Sequence, residues 1–203
     1  MTDYSVFLSE PPSMARPLSP EKREALLLSA MQAVAELGVM ASTSSIARRA
    51  GVADGTLFTY FSSKEVLFQE LYLHLKQSLV TAMMSDFPAQ ADYRQRMEYI
   101  FNRYVSWGLN NALERVVLAR LSASGQVTAD TRALGAQPFQ AVSRTMEGGV
   151  EDGVLIDAPI SFISSVIESI ATTTIEHIEK SPEEEADSHR QLGFHMLWRA
   201  ITA

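Results

Sequence analysis

An all-α fold of about nine helices is predicted by three features of this 203-residue sequence. Apolar side chains recur three or four positions apart in one segment after another, the period of a helix with one face in a core. Those segments open at Ser, Asp or Pro and stop at Gly or Pro, the residues that cap and end helices. Within residues 42 to 64, two short helical segments meet at a glycine in the form of a helix-turn-helix. The helices divide into a three-helix unit over residues 19 to 63 and a larger helical unit over residues 64 to 203, behind a flexible arm of residues 1 to 18. The arm holds Pro11, Pro12 and Pro17 and has little periodicity.

Ser19-Pro20-Glu21 opens the first helix, with proline at its first position and an acid beside it. Leu27, Ala30, Met31, Val34 and Leu37 form its apolar stripe, and Gly38 ends it. Ser42, Thr43 and Ser44 are candidate N-caps for a second helix of about two turns, in which Ile46, Ala47 and Ala50 stand at helical spacing. Gly51 gives the tight turn. The chain restarts at Asp54-Gly55, where Leu57 and Phe61 lie one turn apart and face a core, while Thr56, Thr59 and Tyr60 share the other face. Hydroxyls on a short helix suit the base edges and phosphates of DNA, because they donate and accept and a Thr methyl can touch a thymine methyl.

Ser62-Ser63-Lys64-Glu65 reads as a Ser-x-x-Glu capping box at the start of a fourth helix. Lys64 stands in its first turn, where the helix dipole disfavours a cation; either an anion docks there or the Lys is simply solvated. Val66, Leu67, Leu71, Leu75, Leu79 and Met83 carry this helix towards Pro88. At about 1.5 Å per residue it is long enough to leave the three-helix unit and act as a lever.

Asp92 opens a fifth helix bearing Tyr93, Met97, Ile100, Phe101, Tyr104 and Trp107. This aromatic face forms either an ordinary core or, with Met83 and Met84, a cavity for flat apolar compounds, since Met repacks around varied guests. A sixth helix spans about residues 112 to 122 and stops at Gly125. Residues 128 to 147 are helical in pattern with a kink or break at Pro138. Gly148, Gly149 and Gly153 read as a loop. A helix from near Asp157 carries a nearly uncharged face of Ile160, Ile163, Ile167, Ile170, Thr174 and Ile178. The last, opened by a Ser181-Pro182-Glu183-Glu184 capping box, presents Leu192, His195, Met196 and Trp198. These two helices either close the fold or join two copies.

Ile46-Ala47, Ala50-Gly51-Val52, Gly55-Thr56-Leu57-Phe58, Tyr60-Phe61 and Lys64-Glu65-x-Leu67 together resemble, without a gap, the DNA-binding signature of the TetR family of transcriptional repressors. The run LYLHLKQ from Leu71, Ser106-Trp107-Gly108-Leu109-Asn110, Leu192-Gly193-Phe194 and Trp198-Arg199-Ala200 extend the resemblance to multidrug-responsive members that govern efflux genes. The resemblance implies a homodimer closed by a four-helix bundle, reading a palindromic double-stranded operator and released by a lipophilic, often cationic aromatic effector. A DNA-binding dimer without ligand control is the alternative.

The expected DNA contacts are Thr56, Thr59 and Tyr60 in the groove and Thr43, Ser44 and Lys64 on sugar and phosphate, with Arg48 and Gly55 also at the interface. Arg16 in the arm either tracks a groove or has no role. The expected effector contacts are Met83, Phe101, Tyr104 and Trp107, with Ile163 and Ile167 as the opposite wall. Three positions depart from the family pattern. Phe58 replaces a Tyr whose hydroxyl reaches a phosphate in many members, Ala53 replaces the usual Ser cap, and Ser44 stands where some members carry a base-contacting Arg.

The net charge of −7 is unevenly spread: residues 14 to 70 hold six basic and six acidic side chains, so the acidity lies mostly outside the reading head. Without cysteine there is no disulfide, thiolate nucleophile or Cys-based metal site, as in a reducing cytoplasm. No uncharged stretch approaches the ~18 residues of a membrane helix, and the first residues lack the basic and apolar regions of a secretory signal. No phosphate loop, dinucleotide fingerprint or nucleophile elbow is present, and His74, His177, His189 and His195 are scattered. A non-enzymatic protein with no cofactor and no metal is expected.

Overall fold

The computed structural model describes residues 18–203. The expected arm, with Arg16, lies outside them apart from Leu18. Ten α-helices make up the described chain: α1 (Pro20–Leu37), α2 (Thr43–Arg49), α3 (Asp54–Tyr60), α4 (Lys64–Met84), α5 (Tyr93–Asn110), α6 (Ala112–Ala123), α7 (Ala129–Ala136), α8 (Gln140–Glu151), α9 (Ile160–Ile178) and α10 (Ala186–Ile201). Among the described residues there is no strand, only an isolated antiparallel bridge between Leu155 and Thr202.

Two apolar cores organise these helices. In the first, Leu26, Leu27 and Val34 of α1, Ile46 of α2, Leu57 of α3 and Phe61 pack on Leu67, Phe68 and Leu71 of α4, with Val117 and Leu121 of α6 closing the far side. The second gathers Leu79 and Met83 of α4, Met97, Phe101 and Val105 of α5, Val142 and Met146 of α8, Ile163 and Ile175 of α9 and Leu197 of α10. α4 is the element that spans both. Its N-terminal half is buried under the head and its C-terminal half in the body, so its apolar stripe runs the length of the helix.

Several local expectations change. Leu37 does not join the α1 stripe and is 56% exposed; Gly38, at φ 66°, turns the chain into a 3-10 turn, and the fully buried Ala41 closes that end of the core instead. The cap of α4 is Ser63, whose hydroxyl accepts from the Val66 amide at 3.3 Å, rather than Ser62. The Ser63 hydroxyl also holds the exposed Glu65 carboxyl below its ordinary value. Pro138 produces a full break, a 3-10 turn over Gln137–Phe139 that separates α7 from α8.

Gly148 and Gly149 are not loop residues but lie within α8. A Cβ at Gly148 would stand 2.9 Å from the Tyr93 hydroxyl and one at Gly149 2.8 Å from the Leu155 side chain, so close packing, not a turn, selects glycine there. α9 starts at Ile160 after Pro159, later than Asp157. The expected capping box of the last helix is replaced by a 3-10 turn over Glu183–Glu185, because the Ser181 hydroxyl donates to the His177 carbonyl at 2.8 Å and so finishes α9.

Candidate DNA-reading head and effector cavity

Ser42 caps α2 by accepting from the Ser45 amide at 3.2 Å, which leaves Thr43 and Ser44 half-buried in its first turn. Gly51, at φ 67°, makes the turn into α3. With Ala53 at the cap, α3 has no side-chain cap bond. Leu57 and Phe61 are fully buried, and their burial turns the opposite side of the helix outward. Phe58, 48% exposed, and Thr59 lie on that outer side, with Thr56 and Tyr60 half-buried. The Thr59 hydroxyl donates to the Gly55 carbonyl at 3.3 Å. The Tyr60 hydroxyl accepts from the Ser19 amide at 3.0 Å, so it also pins the start of α1 to the end of α3.

The charges of the head are partly spent. Arg49 is paired with Glu36 and Arg23 with Glu70. Arg48 and Lys64 have no carboxylate at ion-pair distance among the described residues. Lys64 projects from the first turn of α4 with its ammonium 5.3 Å from the Phe68 ring centroid, next to amides with a partial positive charge.

A cavity of about 430 Å³ opens in the body, within the range of about 300–1,000 Å³ typical of small-ligand sites. Tyr72, Lys76, Leu79 and Met83 line it from α4, Ile100 and Tyr104 from α5, Arg132 from α7, Met146 from α8, and Ile167 and Glu168 from α9. Of the expected effector contacts, Met83, Tyr104 and Ile167 meet here. Phe101 and Ile163 are core residues, Phe101 packing on Phe194 with ring centroids 5.9 Å apart. Trp107 faces a separate cleft beside Arg115 and donates its indole N–H to Ser78 at 3.1 Å. On a helix of 3.6 residues per turn, positions three apart drift by about 60°, so 101 and 107 fall on either side of 104.

Lys76, Arg132, Phe139 and Glu168 escaped the sequence reading. Their signal was faint. Tyr72, Lys76, Leu79 and Met83 follow one helical spacing, which puts a lysine on an apolar stripe. Burial pushes the Tyr104 phenol up to about 12, with the nearby Glu168 adding to it, so this group stays a neutral donor.

A shallow groove of about 290 Å³ runs between α9 and α10, lined by Ile170, Thr173, His177, His189, Leu192 and Met196. Phe162, Leu192 and Met196 are 64%, 56% and 57% exposed. Among the described residues no helix is long and apolar enough to cross a membrane, and no three His, Asp or Glu side chains gather as a metal set.

A helix-turn-helix with exposed hydroxyls, and with two cations that lack a carboxylate partner among the described residues, is carried on a helix that runs into a second helical body, an arrangement suited to holding DNA. Residues 26–71 match the family described as bacterial regulatory proteins, tetR family. A protein from Shewanella sp. PV-4, described as a tetR family transcription regulator, has the same fold at 27% identity, with a TM-score of 0.81 over 90% of this chain and 98% of that one. A TetR family transcription regulator from Marinobacter aquaeolei VT8, 21% identical, gives 0.80 over 90% and 96% and speaks for the fold alone. The fatty acid metabolism regulator protein of Bacillus subtilis (strain 168) is 31% identical over 78 residues, 38% of this chain and 40% of that relative's length. The comparisons thus give a family match over residues 26–71 and the same fold over nine-tenths of the chain.

Proposed function

We propose that the protein is a homodimeric repressor that holds a near-palindromic operator with two copies of α3 and releases it when a small effector enters the α4–α5–α7–α9 cavity. The observation that carries the DNA half is Gly55. A glycine in the first turn of a helix costs up to about 1 kcal/mol relative to Ala, and no protein atom lies within 4 Å of the Cβ it lacks. The protein's own packing gives no reason for it, whereas the close approach of a DNA backbone does. In this reading Thr56, Thr59 and Tyr60 reach the groove, and Thr43, Ser44, Arg48 and Lys64 hold sugar and phosphate.

The exposed apolar side chains Phe162, Leu192 and Met196 on α9 and α10 support pairing with a second copy as a four-helix bundle. α4 supports the regulatory half, because it starts at Lys64 and lines the cavity from Tyr72 to Met83. An effector that prefers one tilt of α4 changes the spacing of the two reading helices. The resemblance to multidrug-responsive members of the TetR family supports efflux genes as targets and lipophilic, often cationic compounds as effectors. The likeness to a fatty acid metabolism regulator supports an acyl compound instead.

Selection of duplexes from a random pool by the purified protein tests the proposal. Enrichment of a near-palindrome with half-sites about 34–36 Å apart, or a multiple of that, is expected. Retention of scrambled duplexes as strongly as selected ones ends it.

A further inference from the structure

The charged groups at the cavity are not equivalent. Lys76 is half-buried, its ammonium lies 4.1 Å from the Phe139 ring centroid, and it has no carboxylate at ion-pair distance among the described residues. Arg132 reaches the same cavity from α7, where one amino group donates to the Ser122 carbonyl at 2.8 Å; it too lacks a carboxylate partner among the described residues. Glu168 sits on the exposed side of α9. Glu168 faces Lys76 across the cavity and favours its charge, but from beyond ion-pair distance; burial still outweighs that attraction, and an aromatic ring offsets only part of the cost.

The backbone lets α7, which carries Arg132, approach α4 at the level of Lys76. A Cβ at Gly135 of α7 would stand 2.9 Å from the Tyr72 ring and 3.3 Å from Cγ of Lys76, so glycine lets α7 close on α4 at this level. The rest of the lining, Leu79, Met83, Ile100, Val142, Met146 and Ile167, is apolar.

We propose that the cavity binds a single-tailed anion, its carboxylate or phosphate head held by Lys76 and Arg132 and its apolar tail lying against Met83, Ile100, Met146 and Ile167. The proposal rests on the reading of this cavity as the effector site and gives the effector the charge opposite to that of a lipophilic cation. Lys supplies a point charge and Arg a planar fork, and both heads match that pair.

Calorimetric titration of the whole protein with dodecanoate, dodecyl phosphate, dodecanol and dodecyltrimethylammonium, all below micelle formation, tests it. One anion is expected to bind at least about tenfold tighter than dodecanol, since a charged hydrogen bond contributes enough for a factor of about ten, and the ammonium compound is expected to bind weakest. The tighter of the two anions identifies the head. Lys76→Gln and Arg132→Gln should each weaken the anion about tenfold and leave dodecanol unchanged, whereas Lys76→Arg should retain anion binding. Ammonium binding as tight as the anion, anion affinity unmoved by both Gln variants, or no binding of any probe overturns the proposal. Operator affinity is measured separately: an anion that binds through Lys76 without releasing DNA removes the effector role and leaves the anion site standing.

Discussion

The guanidinium of Arg120 donates a 2.6 Å hydrogen bond to the carbonyl oxygen of Ala35. The same nitrogen reaches the Val34 carbonyl at 2.9 Å, and α1 has no basic residue of its own in its last turn. α6 therefore supplies the cation that the negative end of α1 favours. This ties the head to a helix that borders the cavity through Leu118 and Ser122. Arg120→Ala is expected to lower the melting temperature by about 2–4 °C, the effect of roughly 1 kcal/mol in a chain of this size. Amide exchange should accelerate in the last turn of α1 and little elsewhere; a uniform acceleration would mean that the bond contributes to global stability alone.

Gly55→Ala separates folding from DNA binding. The new methyl meets no protein atom and gains helix propensity, so the melting temperature should hold or rise by a few degrees for about 1 kcal/mol. Operator affinity should fall about tenfold or more if the DNA backbone occupies that space. Full affinity in the Ala variant would remove Gly55 from the interface.

Lys64 and Thr59 should fail differently. Lys64→Ala is expected to weaken binding to all duplexes and to reduce the slope of log affinity against log salt by about one, the mark of one lost phosphate contact. Thr59→Ala should leave that slope alone and relax preference at one base position. Salt titrations on selected and scrambled duplexes separate the two, and an unchanged slope for Lys64→Ala would leave it a solvated lysine over Phe68.

The helix-turn-helix was legible because its signals are local. Gly51 must take a positive φ, Leu57 and Phe61 must face one way, and a short helix leaves only one other face for Thr56 and Thr59. The cavity was less so. Met83, Tyr104 and Ile167 share it only because α4, α5 and α9 converge there, and no spacing along one helix reports that convergence. Aromatic type misled in the same place: Phe101 and Trp107 differ from Tyr104 in which neighbour they face, not in their chemistry. Gly148 and Gly149 carried turn composition but serve contacts to Tyr93 and Leu155, distant in sequence. Ser62 and Ser63 are equally good caps by composition, and only the 3.3 Å bond to the Val66 amide distinguishes them.

Lys76 sets the expected pH behaviour of the body. Burial pushes its pKa below the ordinary lysine value, whereas the unfolded chain titrates near about 10.4. Between those two values the unfolded chain binds the additional proton, so stability should rise with pH across that alkaline window; below it both states are charged and the full penalty is present. The other groups facing the cavity do not obscure this. Tyr104 is held up to about 12 and Tyr72 is also raised by burial, so neither phenol loses its proton within that window. Lys76→Met should therefore raise the melting temperature at pH 7 by a few degrees, for about 1 kcal/mol, and flatten the alkaline rise relative to the parent. A bound anion reverses the sign. At one dodecanoate concentration the melting temperature of the parent should rise more than that of the Lys76→Met variant, the difference corresponding to about 1.4 kcal/mol for a tenfold weaker site. Identical melting curves for parent and variant from pH 7 to 10 would mean that the Phe139 ring already offsets the burial of the charge, and that no penalty remains for an anion to relieve.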